Sequence, residues 1–229
     1  MSENSENRDM GRDQSGEGAY VKAIHGVIFD CDGVLIDSRQ ANIRFYNLIL
    51  QELGMSGMDP EDEEYVHSQT VTESIRRIVP QSELERAFQA AQRISYSTVL
   101  PWIAPQAGLI RGLERLRAKG VACAINTNRT NTVGLILDKF GLHSYFDPVV
   151  TAATVRHPKP HPESIYWILA TWGLSPKNVV FIGDTEVDRR TAAAAGVPFW
   201  AFGNECLSAK RHIRDHREVD EAVEEVSGE

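Results

Sequence analysis

Short apolar runs alternate along the chain with segments in which apolar residues recur every three or four positions. The runs cover residues 23–29, 121–125, 148–150, 179–182 and 197–202. Runs of this length predict buried strands, and the spacing between them predicts helices. Strands that alternate with helices predict an α/β fold, with a Rossmann-like, doubly wound parallel sheet covered by helices on both faces.

One long segment interrupts this alternation. Residues 38–104 show helical periodicity and no convincing strand, with Tyr46 and Leu50 on one predicted helix face. Thr70 and Glu73 have the spacing of a capping box, which marks the start of a further helix. The segment is therefore expected to be an inserted helical cap.

The pattern divides the chain into three regions. Residues 1–19 are expected to be a disordered tail, because they are rich in Ser, Asn, Glu, Asp and Gly and lack the apolar centre of a signal peptide. Residues 20–37 and 105–229 are expected to form the α/β catalytic core, and residues 38–104 the helical cap.

The charge balance limits the classes of partner. The 229 residues are 42% hydrophobic and carry a formal net charge of −8, so the chain can bury a sizeable core but has no general basic field. Nucleic acid and anionic membrane are excluded as partners on this ground. No apolar run approaches the roughly 20 residues of a membrane-spanning helix. The pattern gives no indication of the oligomeric state.

The cysteines indicate a cellular compartment. Cys31, Cys123 and Cys206 form no CxxC pair, and the first two lie in or beside predicted buried strands. A reducing cytoplasm is the simplest location for such thiols. Cys31 is expected to be a packing residue and not a nucleophile.

Two carboxylates follow the first predicted strand. Asp30 and Asp32 are spaced i, i+2, so their side chains point the same way in an extended segment, at the edge where open α/β sheets bind ligands. One site can therefore use Asp30 as nucleophile and Asp32 as general acid and base. A DxDG turn or an incidental calcium-like loop is the alternative.

Further polar residues follow in order at later strand ends or loops. The Thr127 hydroxyl, followed by Asn128, can bind a phosphate oxygen or belong to an ordinary turn. Lys159 lies between two prolines and is either a site cation or a solvated lysine. Asp184 and Asp188 suit Mg²⁺, although acidic residues also favour a helix N-terminus without any metal.

This ordered combination resembles the haloacid dehalogenase superfamily. Its four motifs match Asp30-Cys31-Asp32-Gly33-Val34-Leu35, Thr127-Asn128, Lys159, and Gly183-Asp184 with Asp188. The resemblance extends over residues 21–202 and is strongest to the phosphoglycolate phosphatase-like branch, in which a helical cap directly follows the first motif.

The resemblance implies a role for each matched residue. Asp30 would attack phosphorus and become an aspartyl phosphate, and Asp32 would protonate the leaving oxygen and then activate water. Thr127 and Lys159 would bind the phosphoryl oxygens. The implied magnesium ligands are Asp184, the Asp30 carboxylate and the Asp32 carbonyl, with Asp188 as a further ligand or a supporting partner.

The resemblance favours a Mg²⁺-dependent phosphatase that acts on a small phosphorylated metabolite, a phosphoglycolate-like compound or a sugar phosphate. Asp32 favours a phosphatase or a phosphomutase, since relatives that cleave carbon–halogen bonds lack this acid. Asn42 stands where mutases often carry a histidine, which weakens the mutase alternative. A non-catalytic phospholigand-binding protein is less well supported, because binding alone does not require Asp32.

Several basic residues are candidates for substrate contact. Arg129, Arg156 and His157 lie next to the second and third motifs, where each either contacts an anion or lies in solvent. In the expected cap, His67, Arg76 and Arg77 are candidates for facing the site, although two adjacent arginines cannot share one narrow helix face.

Overall fold

The computed structural model describes residues 23–228, so the predicted tail over residues 1–19 lies outside the described part. The strands are β1 (Gly26–Phe29), β2 (Ile36–Asp37), β3 (Ala104–Pro105), β4 (Ala122–Thr127), β5 (Val149–Thr151), β6 (Val179–Gly183), β7 (Phe199–Phe202) and β8 (Arg211–Ile213). Six of them form one parallel sheet in the order β5-β4-β1-β6-β7-β8. This arrangement confirms the predicted α/β fold.

Helices lie on both faces of this sheet and in the segment between β2 and β3. They are α1 (Arg39–Glu52), α2 (Pro60–Ser68), α3 (Val71–Ile78), α4 (Leu84–Arg93), α5 (Leu109–Ala118), α6 (Val133–Phe140), α7 (Glu163–Trp172), α8 (Glu186–Ala195) and α9 (Val219–Gly228). None of the helices within residues 23–228 is both long enough and apolar enough to cross a membrane.

Alternate residues of β1 supply the two cores of the molecule. Val27 and Phe29 pack into the larger core, which also contains the buried residues of α1, α5 and α6. Ile28 packs into the second core, between the sheet and the helices α7 and α8. Because both faces of the strand are covered, every β1 residue is buried, as its uninterrupted apolar run predicts.

The central strands end at the same edge of the sheet. Phe29 in β1 is in register with Ile125 in β4 and with Ile182 in β6. The residues that follow in the chain therefore leave the sheet side by side. This register places the polar residues of three sequence motifs at one edge.

The segment between β2 and β3 contains α1 to α4. The capping box is present at the start of α3, where the Thr70 hydroxyl accepts a hydrogen bond from the Glu73 N–H at 3.2 Å and the Glu73 carboxylate accepts one from the Thr70 N–H at 3.2 Å. Both strands that flank the segment, and also β8, are absent from the sequence prediction. They have only two or three residues each, too few to show a periodic pattern.

Candidate active site

Asp30 directly follows β1 and is paired with Lys159, which lies on the loop before α7. The Lys159 ammonium donates to Asp30 Oδ1 at 2.7 Å and to Asp188 Oδ1 at 2.6 Å, and all three side chains are buried. Burial alone would lower the pKa of Lys159, but the two carboxylates raise it above its ordinary value. Lys159 is therefore a permanent cation inside the site.

Asp188 is held by two sets of donors. Its Oδ2 accepts hydrogen bonds from the Thr185 N–H at 3.2 Å and from the Thr185 hydroxyl at 2.5 Å, which completes the capping box of α8. Its Oδ1 accepts from Lys159. Asp188 thus ties the first turn of α8 to the cation beside Asp30.

Asp184 lies between β6 and α8 and forms an acidic cluster with Asp30 and Asp188. One oxygen from each of Asp30, Asp184 and Asp188 lies within 4.8 Å of the other two. Burial, together with the charges of Asp188 and Asp30, raises the pKa of Asp184 well above its ordinary value. Its Oδ1 is buried and has no hydrogen-bond partner among the described residues.

The carboxylates at this edge of the sheet outnumber the cations beside them. If all four motif aspartates were ionised, they would exceed the two permanent cations, Lys159 and Arg129, by two charges. Burial and the charge of Asp188 raise the pKa of Asp30 to about 7, although Lys159 opposes this. Hard carboxylate oxygens, an unpartnered oxygen on Asp184 and excess negative charge together fit a divalent metal ion.

Asp32 lies in the same loop but has a separate cation. The Arg129 guanidinium makes a bidentate contact with the Asp32 carboxylate, with Nε 2.7 Å from Oδ2 and Nη2 2.5 Å from Oδ1. The Ser38 hydroxyl also donates to Oδ1. Burial alone would raise the pKa of Asp32, but Arg129 and Ser38 outweigh it, so the pKa lies below its ordinary value.

Arg129 is buried and already paired with a carboxylate of the protein. It is 8% exposed, and its Nη1 also donates to the Tyr96 hydroxyl at 2.7 Å and to the Thr132 hydroxyl at 3.0 Å. The sequence alternatives considered for this residue therefore miss its actual contact. The available signal was its position directly after the Thr127-Asn128 motif; nothing local indicated Ser38 or Tyr96.

Thr127 is the last residue of β4, and Asn128 directly follows it. Both are buried and border the same cavity as Asp30 and Lys159. Asn128 Nδ2 donates to the Lys159 carbonyl at 3.3 Å, and its Oδ1 is buried without a partner among the described residues. The structure thus brings together all seven motif residues selected from the sequence, at the carboxyl edge of the sheet.

A cavity of about 490 Å³ opens from this edge towards α1 to α4. His67 borders it, and its Nε2 lies 3.9 Å from Asp184 Oδ2. Arg76 is exposed outside the cavity, and Arg77 pairs with Glu61 and Asp62 on the surface. Of the three candidates from the expected cap, the structure brings only His67 to the site.

The two candidates beside the third motif lie outside the cavity. Arg156 and His157 are exposed, the Arg156 N–H donates to Glu163 Oε1 at 2.8 Å, and the His157 ring contacts Glu163 Oε2 at 2.8 Å.

Cys31 is fully buried in the larger core, and burial raises the pKa of its thiol above the ordinary value. Cys31 is therefore an inert packing residue, as the sequence predicts.

Comparison with known proteins identifies the family to which the chain belongs. The family model described as haloacid dehalogenase-like hydrolase matches residues 27–202. The phosphoglycolate phosphatase of Rhodobacter capsulatus is 31% identical over 180 residues, which cover 76% of this chain and 81% of that protein. The probable phosphatase IndB of Dickeya dadantii is 29% identical over 178 residues, or 75% and 77% of the two chains.

Solved structures share the fold. A haloacid dehalogenase-superfamily hydrolase of subfamily IA from Geobacter sulfurreducens superposes with a TM-score of 0.73 and 35% identity, over 87% of this chain and 96% of that one. A protein from Haemophilus somnus, described as a predicted phosphoglycolate phosphatase, gives a TM-score of 0.79 at 20% identity, over 90% and 99%.

A buried acidic site with a lysine beside the first aspartate, at the carboxyl edge of a doubly wound parallel sheet, lies where α/β enzymes bind their ligands. The match over residues 27–202 makes the assignment specific. The chain belongs to the haloacid dehalogenase-like hydrolases, in the phosphoglycolate phosphatase-like branch.

Proposed function

We propose that the protein is a Mg²⁺-dependent phosphatase that hydrolyses a small phosphate monoester, phosphoglycolate-like or a sugar phosphate, through an aspartyl phosphate on Asp30. The enzyme is a haloacid dehalogenase-type phosphoric monoester hydrolase. The observation that carries the proposal is the buried Asp30–Lys159–Asp188 contact, with Asp184 completing a group of carboxylate oxygens within 4.8 Å.

Asp30 is the proposed nucleophile. Lys159 orients one of its oxygens, and Thr127, Asn128 and Lys159 surround the place where a phosphoryl group would lie. Two of the three ammonium protons of Lys159 are used by Asp30 and Asp188, which leaves one for a phosphoryl oxygen. Positioning and charge stabilisation of this kind supply most of the catalysis in phosphoryl transfer.

Asp32 is the proposed general acid and base. As Asp30 Oδ attacks phosphorus, the ester P–O bond breaks and the leaving oxygen takes a proton from Asp32. A water molecule then attacks the aspartyl phosphate and gives its proton to Asp32, which releases phosphate and regenerates Asp30. The pairing with Arg129 and Ser38 orients Asp32 and lowers its pKa, which suits the base in the second step. As the acid in the first step, Asp32 must carry a proton when the ester binds.

Asp30 and Asp184 are the proposed carboxylate ligands of the metal, together with the Asp32 main-chain carbonyl, and Asp188 is a further ligand or a supporting partner. The unpartnered Asp184 Oδ1 supports its assignment, whereas both oxygens of Asp188 already accept protein hydrogen bonds. When bound, Mg²⁺ would neutralise the carboxylates and the phosphate dianion so that they can approach each other.

Residues 38–104 are the proposed cap. Cavity-lining residues from α1, α2 and α4 support a role for the helical segment in closing the site around the leaving group.

A reducing cytoplasm is the proposed location. Free Cys31 and Cys123, both buried, support a reducing compartment.

Removal of the metal tests the proposal. Phosphate release should fall by about 10²- to 10³-fold or more in excess chelator and in Asp184→Ala, because the carboxylates would then repel the substrate. Calorimetric titration with Mg²⁺ should show binding to the wild type and much weaker binding to Asp184→Ala. Asp138→Ala, an exposed aspartate on α6, is the matched control and should keep both properties.

Full phosphatase activity without a divalent metal would contradict the proposal. So would an isomerised sugar phosphate as the main product in place of free phosphate, since that outcome is typical of a mutase. Ca²⁺ should substitute poorly, because its larger and looser coordination misplaces the attacking Asp30 oxygen.

A further inference from the structure

The cavity has two chemically different halves. Polar motif residues line the half at the sheet edge, whereas the half formed by α1 to α4 is mainly apolar and aromatic. The apolar half includes Phe45, Tyr46, Val66, Val71, Phe88 and Ile94. In an ester whose phosphate lies at Asp30, the leaving group would occupy this apolar half.

The permanent cations of the cavity lining are already paired. Lys159 is bound to Asp30 and Asp188, and Arg129 makes a bidentate contact with Asp32. Arg129 also donates to two hydroxyls, so four of its five N–H groups are in use. No other Lys or Arg among the described residues borders the cavity. A carboxylate on the leaving group would therefore find no unpaired Lys or Arg to offset the loss of its hydration, which is costly.

The size of the cavity points to the same conclusion. A volume of about 490 Å³ lies in the range of pockets that enclose ligands with several rings or a ring and substituents. A two-carbon group such as glycolate would leave most of the apolar half unfilled.

The aromatic residues also indicate a flat partner. Phe45 lies with its ring centroid 5.9 Å from that of Tyr96, and Phe88 borders the same cavity from α4. Rings in such positions gain most from offset or edge-to-face contacts with another ring. Asn42 and Gln92 add uncharged hydrogen-bonding groups to this half.

A polar atom of His67 is consistent with such a ligand. His67 borders the cavity, and its Nδ1 is buried without a hydrogen-bond partner among the described residues. A buried ring nitrogen without a partner is costly, and a hydroxyl or amide on the bound molecule would relieve this cost.

We infer that the leaving group of the natural substrate is uncharged and carries an aromatic or heteroaromatic ring, with hydroxyl or amide groups at its edge, and that it is not glycolate. This inference rests on the phosphatase chemistry of the proposed function and replaces the phosphoglycolate-like or sugar substrate given there. The reaction is hydrolysis of the ester of a ring-bearing alcohol: water and the ester give the neutral alcohol and phosphate, with no other reactant.

Three esters test the inference on the full chain with Mg²⁺. Benzyl phosphate and 4-carboxybenzyl phosphate differ by one carboxylate while their leaving alcohols remain similar, and 2-phosphoglycolate is small and charged. Measured as phosphate release, kcat/KM should be at least about 10-fold higher for benzyl phosphate than for either carboxylate-bearing ester, because the carboxylate has no partner.

A gain-of-function variant gives a second, independent measurement. Leu135 lies on α6, borders the cavity and is 40% exposed, so Leu135→Arg would place an unpaired cation there. The ratio of kcat/KM for 4-carboxybenzyl phosphate to that for benzyl phosphate should rise about 10-fold. Ile110→Arg, on α5 outside the cavity and 39% exposed, is the matched control and should leave the ratio unchanged.

The outcomes separate this inference from the proposed function. A higher kcat/KM for 2-phosphoglycolate than for benzyl phosphate would overturn the inference and leave the phosphatase proposal intact. An unchanged ratio in Leu135→Arg, with activity retained, would also overturn it. If neither these three esters nor a sugar phosphate released phosphate in the presence of Mg²⁺, the proposed function itself would fail, and the inference with it.

Discussion

Arg129 and Asp32 form a buried ion pair that decides the protonation state of the proposed acid and base. Without Arg129, burial would push Asp32 towards its neutral form; with it, the pKa of Asp32 is lowered. Arg129 also contacts the Tyr96 hydroxyl from the helical segment. One side chain therefore connects the proposed acid and base to the helical segment between β2 and β3.

The two proposed steps can be separated at Asp32. A poor leaving group such as an alkoxide must be protonated as it departs, whereas p-nitrophenolate leaves unaided. Asp32→Asn should therefore fail to react with an alkyl phosphate but should release a stoichiometric burst of p-nitrophenolate and then stall as the aspartyl phosphate. Rapid-quench kinetics with acid trapping of labelled enzyme measures both products.

The control for this variant is Asp37→Asn, an exposed aspartate a few residues further along the chain. It should turn over p-nitrophenyl phosphate at the wild-type rate. Steady release by Asp32→Asn at close to the wild-type rate, without a burst, would mean that Asp32 is not the base of the second step. The burst itself would show that the variant is folded.

At the scale of elements, the loop after β1 approaches the loop after β6 too closely for a side chain. Gly33 has φ +74°, and a Cβ atom at this residue would overlap the Asp184 carboxylate. Glycine at this position thus permits both the left-handed backbone conformation and the position of the Asp184 carboxylate. The glycine of the first motif is required by the packing of two strand ends.

Gly33→Ala and Gly54→Ala form a matched pair that isolates this contact. Gly54 has φ +71°, but a Cβ atom there would meet nothing within 4 Å, so Gly54→Ala should cost about 1–2 kcal/mol of stability through the backbone alone. Gly33→Ala should cost more and should also weaken Mg²⁺ binding by at least about 10-fold, because Asp184 must move. Thermal unfolding and calorimetric Mg²⁺ titration measure the two effects; equal behaviour of both variants would contradict the argument.

At the scale of the whole molecule, the helical segment and the sheet edge together form the cavity. His67 reaches Asp184 from α2 across this space, whereas Arg76 and Arg77, on the next helix, point to the surface. Contacts between the two parts of the molecule therefore select one of three basic residues that the sequence could not tell apart.

His67→Ala should change the ranking of natural phosphate esters by about 5- to 10-fold in kcat/KM, the value of one hydrogen bond to the leaving group. It should spare p-nitrophenyl phosphate, which needs little help to leave. Arg76→Ala, an exposed arginine on α3, is the control and should leave the ranking unchanged. Uniform loss on all substrates would instead indicate a role for His67 in the chemistry or in folding.

The sequence by itself determined the α/β class, the succession along the chain of the main-sheet strands except β8, and the positions of the seven motif residues. Apolar runs and helical spacing are local properties, and polar residues at the ends of such runs stand out without any tertiary information. Residues 26–29, for example, are predicted as strand and are strand, with Asp30 directly after them.

Only the tertiary structure decided which of these residues are partners. Lys159 binds Asp30 across 129 positions of sequence, and Arg129 binds Asp32 across 97. Such contacts depend on the order and register of the strands and on how the helical segment lies against the sheet, none of which appears in any local window of sequence. For the same reason the apolar half of the cavity, whose lining comes from four separate helices, exists only in the folded chain.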